Sequence, residues 1–270
     1  MYVKGETAGL VLSVRPFKEK DQLVQLFTEK YGKRMILVKR AAMPNFRYKK
    51  ALQCPGGGIF YLSLQEEGLG FIQGVKEEFS YPYLQTDPLA YTYAQYILEL
   101  AQYALEDGEP DAIFYGYIRQ GLVYLEEKKP PAVIAAIMAL QILPKFGVDI
   151  RFDHCQLCEE TRWDIPYDYS SFYHGVICER HFATIENRWN LPPQVLFYLR
   201  KFQDFNFFQI GKIDIHPQWI RQIWQVIDSI YEEELGIRPA SRRFLWKMEQ
   251  SEAKIQALWE RNVDKRKDLS

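Results

Sequence analysis

Four residues with strict chemical demands constrain this chain more than any other feature. Between Asp153 and Phe182 the sequence places Cys155 and Cys158, nineteen intervening residues, and then Cys178 and His181. A Cys-x-x-Cys turn can aim two thiolates at one point, and a second turn of the same spacing completes a tetrahedron. Pro166, Asp168, Ser170, Ser171 and Gly175 supply turn signals between the two pairs. The expectation is a closed Cys3His shell around one structural zinc ion (Zn2+), since a fourth protein ligand leaves no position for a catalytic water. His154 and His174 are alternative fourth ligands. Other uses of the cysteines fit less well. A disulfide framework calls for more than four cysteines in 270 residues. A thioredoxin-like pair needs a strand leading into a helix at Cys155. Unrelated buried cysteines would not need this spacing.

The charges are unevenly distributed. The net charge is −1, yet residues 1–50 carry twelve Lys/Arg against four Asp/Glu, and residues 51–150 carry five against thirteen. Such a basic N-terminal fifth is suited to meeting a polyanion. The first ten residues lack the apolar segment of a signal peptide, and the longest strongly apolar run, Ala132 to Leu140, is shorter than the roughly 20 residues that span a bilayer. A cytoplasmic protein without a membrane partner is expected.

Residues 1–80 alternate like a small antiparallel sheet. Strands are expected at Thr7–Val14, Gln22–Thr28, Arg34–Val38, Ile59–Leu64 and Gly70–Val75, with turns at Tyr31-Gly32 and Glu67-Gly68. Five short strands with a longer polar connection, Lys39 to Gln53, suit an OB-fold β-barrel. Gly56–Gly58 reads as a strand-entry bend, because no Lys-Ser/Thr and no helix follow as a phosphate loop requires.

From Asp87 the period becomes helical. Asp87-Pro88 opens a helix to about Leu105, Asp111 caps a second to about Glu126, and Ala132 to Phe146 forms a central apolar helix ended by Gly147. Helices resume at Pro193–Phe202 and Pro217–Leu235. Tyr91, Tyr93, Tyr96 and Tyr103 read as helix-packing residues. The fold class is therefore α+β and multidomain. The OB-fold domain spans 1–80, and an α-helical domain spans 81–240 with a zinc module inserted at about 150–185. A charged tail occupies 241–270, with a loose helix around Phe244 to Trp259.

The basic residues fall in two loops, Arg15, Lys18 and Lys20, and Lys39, Arg40, Arg47, Lys49 and Lys50, with Lys33 and Arg34 at a turn between them. Phe17, Phe46 and Tyr48 are interleaved. Cations that follow phosphates and rings that stack on bases are the means by which OB barrels hold single strands.

At these residues the chain resembles the bacterial RecO family of recombination mediators. Gly9 to Ala41 carries the resemblance through Glu19-x-Asp21, Leu26-Phe27-Thr28, Gly32-Lys33 and Lys39-Arg40. Ala51-Leu52-Gln53, the segment from Cys155 to Cys178 and the stretch Leu235 to Phe244 extend it downstream. Where the family usually has a final cysteine ligand, this chain has His181. The resemblance implies a non-enzymatic protein that binds ssDNA and dsDNA and anneals complementary strands. It would help load RecA onto DNA coated by single-strand-binding protein (SSB), with RecR as partner, and associate with the nucleoid when acting on DNA. The SSB C-terminal tail is acidic and apolar, so its receptor needs a basic rim. Arg119, Arg151, Arg200 and Lys201 are candidates for that rim. Two other functions compete. An OB-fold RNA-binding protein would use the same surface. A zinc-dependent nucleic-acid-processing enzyme would need a motif such as H-E-x-x-H, which the four histidines do not form.

Overall fold

The computed structural model describes residues 2–65, 68–248 and 250. Its first strand explains how the barrel closes. β1 (Tyr2–Phe17) is long enough to serve two neighbours. Its first half pairs with β4 (Gly57–Gln65) and its second half with β2 (Asp21–Thr28), both antiparallel, with a bulge between Val11 and Ser13. The extra residue at such a bulge bends a strand sharply. β2 pairs with β3 (Gly32–Val38), and β5 (Gly70–Phe79) pairs with β4. A short parallel contact, Ile36 to Gly70 and Leu37 to Phe71, closes the ring in the order β1-β2-β3-β5-β4. This is the expected five-stranded barrel, with longer strands than alternation alone marks.

The glycine run proves to be a strand entry. Gly57 lies against β1, where an added Cβ would sit 2.3 Å from the Gly9 carbonyl oxygen. The barrel core comprises Val11, Val24, Leu26, Ile36, Phe60, Leu62 and Leu64, together with Ala41, Ala51 and Leu52 from the long connection. Residue 67 of the expected β4–β5 turn lies outside the described residues.

The helical domain follows the capping signals. A short helix, α1 (Pro82–Thr86), precedes α2 (Pro88–Ala104). The Asp87 carboxylate accepts the Ala90 N–H at 2.8 Å, and Asp111 does the same for Phe114 at the start of α3 (Ala112–Glu126). α4 (Pro131–Ile142) is buried on every side from Val133 to Leu140. A 3-10 turn extends it to Phe146, and Gly147 ends it in the left-handed region at φ 75°. Helices α5 (Pro193–Asp204) and α6 (Pro217–Glu233) complete the ring around it. α6 is pinned to α4 through Trp224 Nε1 donating to the Ala132 carbonyl and Tyr231 Oη donating to that of Ala139. Of the four tyrosines on α2, Tyr93 and Tyr96 are buried, whereas Tyr91 and Tyr103 are exposed.

The chain after Arg238 stays with the body. Residues 240–248 form a further helix, α7. Its Leu245 is fully buried, and Arg242 forks onto Asp228 while lying over the Trp224 ring. The rest of the expected tail, residues 251–270, lies outside the described residues.

A group of contacts around Lys33 joins the barrel to the helices. The Lys33 ammonium donates to the carbonyls of Gln102 at 3.2 Å and Leu105 at 2.5 Å, in the last turn of α2, and pairs with Asp107 at 3.3 Å. These carbonyls have no partner within their helix and sit at the negative end of its dipole. The Gly108 N–H donates to the Lys33 carbonyl at 2.9 Å. Gly32 beside it has φ 66°, and an added Cβ would stand 2.1 Å from the Glu109 carbonyl oxygen. Gly32→Ala therefore adds left-handed strain to a backbone clash. Urea denaturation of that variant is expected to show a loss of at least about 2 kcal/mol. A neutral substitution would mean that this junction does not form.

Candidate metal centre and nucleic-acid interface

The module between α4 and α5 is built from two short strands and a knuckle. β6 (Tyr167–Ser170) and β7 (Gly175–Cys178) pair antiparallel and are buried throughout. The knuckle at Cys155–Cys158 docks on this hairpin through Gln156 N–H to the Val176 carbonyl at 2.9 Å. Gly175 leaves room for the Arg151 backbone, whose carbonyl oxygen would lie 2.8 Å from a Cβ there. Buried Asp168 accepts the N–H groups of Tyr169, Asn190 and Leu191, so one carboxylate fixes both the hairpin and the chain leading into α5.

This scaffold brings Cys155, Cys158, Cys178 and His181 together, with their donor atoms all within 4.8 Å of one another. The Sγ atoms of Cys158 and Cys178 are 3.7 Å apart. A tetrahedral shell with metal–sulfur bonds of 2.3 Å has sulfur–sulfur edges of about 3.8 Å. The Cys178 N–H points at Cys155 Sγ, 3.4 Å away. Burial pushes the Cys155 thiol up, but N–H donors from Cys178, Leu157 and Cys158 outweigh it and hold that thiol below its usual range. Arg180 reaches Cys158 Sγ at 3.4 Å and Glu160 at 2.7 Å, placing a positive charge beside the exposed thiol.

The histidines separate cleanly. His154 Nδ1 meets Asp153 at 2.9 Å, and His174 Nδ1 meets Glu234. His181 Nε2 is buried without a hydrogen-bond partner. A buried polar atom left unpaired is costly, and a metal ion at the centre of this cluster would satisfy it. The four residues fit a metal ion, and His181 is the histidine that lies with the three thiols.

The barrel carries the second candidate surface at one end. Arg15 lies near the end of β1, Lys18 and Lys20 lie in the β1–β2 turn, and Lys39 and Arg40 directly follow β3. The turn and the following connection are tied together by Ala42 N–H to the Lys20 carbonyl at 3.1 Å and Arg40 N–H to Asp21 at 2.9 Å. Lys18 and Arg40 both hold left-handed backbone, at φ 54° and 59°, which costs a residue with a side chain about 1 kcal/mol. Arg47, Lys49 and Lys50 lie on the connection that covers this end, with Phe46 and Tyr48 half-buried against the barrel core. Phe46 and Tyr48 meet edge to face at 5.9 Å, Arg47 lies over Tyr48, and Lys18 lies over Phe17. These eight cations are exposed, and among the described residues none of them forms an ion pair.

Two expected members belong elsewhere. Lys33 is a correction: its ammonium is spent on the α2 carbonyls and its side chain is only 13% exposed. Arg34 is turned the same way, donating to the Tyr31 carbonyl and packing over Gly108. An acidic, carbonyl-rich loop next to the Gly32-Lys33 turn decides this, and a local reading of charge does not reveal it. The four expected rim cations each meet a separate partner. Arg119 stacks on Phe79, Arg151 pairs with Asp153, Arg200 covers Trp163 and Lys201 lies over Phe197.

Similarity to known proteins decides the family. Residues 1–80 match the family described as Recombination protein O N terminal, and residues 85–243 match Recombination protein O C terminal. The chain belongs to the RecO family. It is 34% identical over 244 residues to the DNA repair protein RecO of Enterococcus faecalis, covering 90% of this chain and 92% of that one. It is 35% identical to the RecO of Lactococcus lactis over 240 residues, covering 89% and 94% of the two chains. The RecO of Streptococcus agalactiae shares 33% identity over 240 residues, 89% of this chain and 93% of its own. A role in DNA repair and recombination follows from RecO membership, and the OB-like barrel, helical domain and cysteine cluster agree with it. Among the described residues, no helix is long and apolar enough to cross a membrane.

Metal content per chain should separate the histidines. His154→Ala and His174→Ala are expected to keep their metal on purification, whereas His181→Ala should lose most of it. Equal retention in all three would remove His181 from the shell.

Proposed function

We propose that the chain is a non-enzymatic recombination mediator that binds ssDNA and dsDNA through the cationic end of its barrel and anneals complementary strands. The observation that carries this reading is the convergence of eight exposed, unpaired cations and three aromatic rings on one barrel end. Unpaired cations lose nothing within the protein when they turn to phosphates. Two DNA strands repel each other, and a cationic face lowers that repulsion while base pairing drives the reaction. The same surface would help load RecA onto SSB-coated DNA, with RecR and the SSB C-terminal tail as protein partners. Arg119, Arg151, Arg200 and Lys201 remain candidates for separate contacts with such partners rather than for a common rim.

The metal in this reading is zinc. Three thiolates and one imidazole form a soft, four-coordinate donor set suited to Zn2+. Its role is structural: it ties the knuckle to the β6–β7 hairpin and supplies no open position for chemistry. A zinc-dependent nuclease or deaminase would need that position. An RNA-binding role would use the same cations, and competition between ssDNA and RNA of equal length separates the two.

If about five of the cations meet phosphates of a single strand, log affinity should fall against log salt with a slope near −3.5. A slope near zero would remove the groove hypothesis. Charge reversal at Lys39 and Arg40 should weaken binding equally for all sequences, because phosphate contacts carry no base information. The same variant should slow annealing of SSB-coated strands in the absence of nucleotide. A strict ATP requirement for annealing by the unmodified protein would contradict the mechanism.

A further inference from the structure

The barrel end does not finish at the barrel. Its groove, about 480 Å3 and lined by Val14, Met43, Phe46 and Lys49 among others, is closed on one side by Tyr91 of α2. Tyr91 also lines a second groove of about 570 Å3, which runs between α2 and α7. The boundary between the two is thin. The Gln95 side chain, which lines the second groove, meets the Cys54 thiol of the first, with Nε2 and Sγ 3.4 Å apart.

The second groove differs chemically from the first. Thr92, Gln95, Glu99 and Gln102 face it from α2, and Phe244 faces it from α7. Among the described residues no Lys or Arg lines it, so they offer phosphates no cation there. Its one acid is already used, because the Glu99 carboxylate accepts the N–H groups of Ala240 and Ser241 and the Ser241 hydroxyl at the start of α7. A helix N-terminus stabilises negative charge there, so little repulsion is left for a polyanion passing by. What remains is two exposed rings, Tyr91 at 38% and Phe244 at 54% exposure, flanking amide and hydroxyl groups. Such groups donate to and accept from any base edge. From Tyr91 to Gln102 the face is about 16 Å long at 1.5 Å per residue.

We propose that the groove between α2 and α7 takes the unpaired bases of a single DNA strand leaving the barrel, stacking them on Tyr91 and Phe244. This inference rests on the DNA reading of the barrel end and divides the work. The barrel cations hold phosphates of either single or double strands. The helical groove accepts bases only when they are unpaired, and so favours the single strand.

The test is equilibrium binding of full-length protein to oligothymidylate and to an abasic strand of the same length. Tyr91→Leu combined with Phe244→Leu should lower affinity for oligothymidylate about tenfold or more. It should leave abasic-strand affinity within about twofold and keep the salt slope. Tyr91→Phe should bind like the unmodified protein, since it keeps the ring. Undiminished oligothymidylate affinity in the double variant would overturn the proposal, as would an equal loss on both strands. Those results leave the barrel reading standing if the unmodified protein still binds with a steep salt slope. Salt-independent binding by the unmodified protein would overturn both.

Discussion

The arrangement of this molecule depends on one lysine in an unusual place. Lys33 leaves a β-hairpin and inserts its ammonium among carbonyls that α2 cannot satisfy itself. The exchange suits both sides: the helix end gains a cation where its dipole is negative, and the lysine gains two acceptors as it leaves water. Gly32 permits the approach, since only a residue without Cβ can lie so close to the Glu109 backbone. The barrel thereby acquires a fixed attitude to α2. Leu10, Leu12 and Phe27 can then join the helical core rather than the barrel's own, with Phe27 packed against Phe114 and Tyr115. That attitude also places Tyr91 beside the barrel mouth.

The same residue marks the limit of what the sequence discloses. Alternation and turn residues reveal the barrel because a half-buried strand must alternate whatever it later packs against. Helix starts are equally legible, since Asp87 and Asp111 satisfy N–H groups within three residues of themselves. The cluster of Cys155, Cys158, Cys178 and His181 is legible because its two pairs share one spacing. Selecting His181 over His154 and His174 required tertiary information, namely which imidazoles already have a carboxylate. Lys33 and Arg34 look like groove cations because charge is local in sequence, whereas the α2 carbonyls that take the Lys33 ammonium and the Gly108 backbone beside Arg34 lie about 70 residues away. Residues 240–248 pose the same difficulty: their composition is that of a tail, but Leu245 and the Arg242–Asp228 pair anchor them to α6.

The cysteine cluster and the helical core act as one structure. Cys155 and Cys178 are fully buried and belong to the same apolar cluster as α4 and α5. Phe152 stacks on Tyr169, Tyr169 meets Trp189, and the Gln203 side chain on α5 bridges the Ile150 carbonyl and the Phe152 N–H. A small hairpin of two four-residue strands is too short to stand alone in water. Aromatic packing and the Gln203 bridge on the core side offset that weakness. Cys158, the exposed member of the cluster, faces Arg180 and solvent, so the module is sealed on its core side and open on the other.

Charge placement completes the division between the domains. Residues 51–150 are strongly acidic, yet several of their carboxylates are used internally. Glu126 caps α1 through the N–H groups of Tyr83 and Leu84, Glu99 caps α7, and Asp87 and Asp111 cap α2 and α3. These four acids act as hydrogen-bond acceptors for helix ends, where their charge is locally compensated. The cations of the barrel end have no such partners and keep their fields directed outward. A near-neutral protein therefore carries a cationic barrel end while four of its helical acids are taken up by helix ends. Net charge conceals this because it counts the two populations equally, although one is bonded within the fold and the other is not.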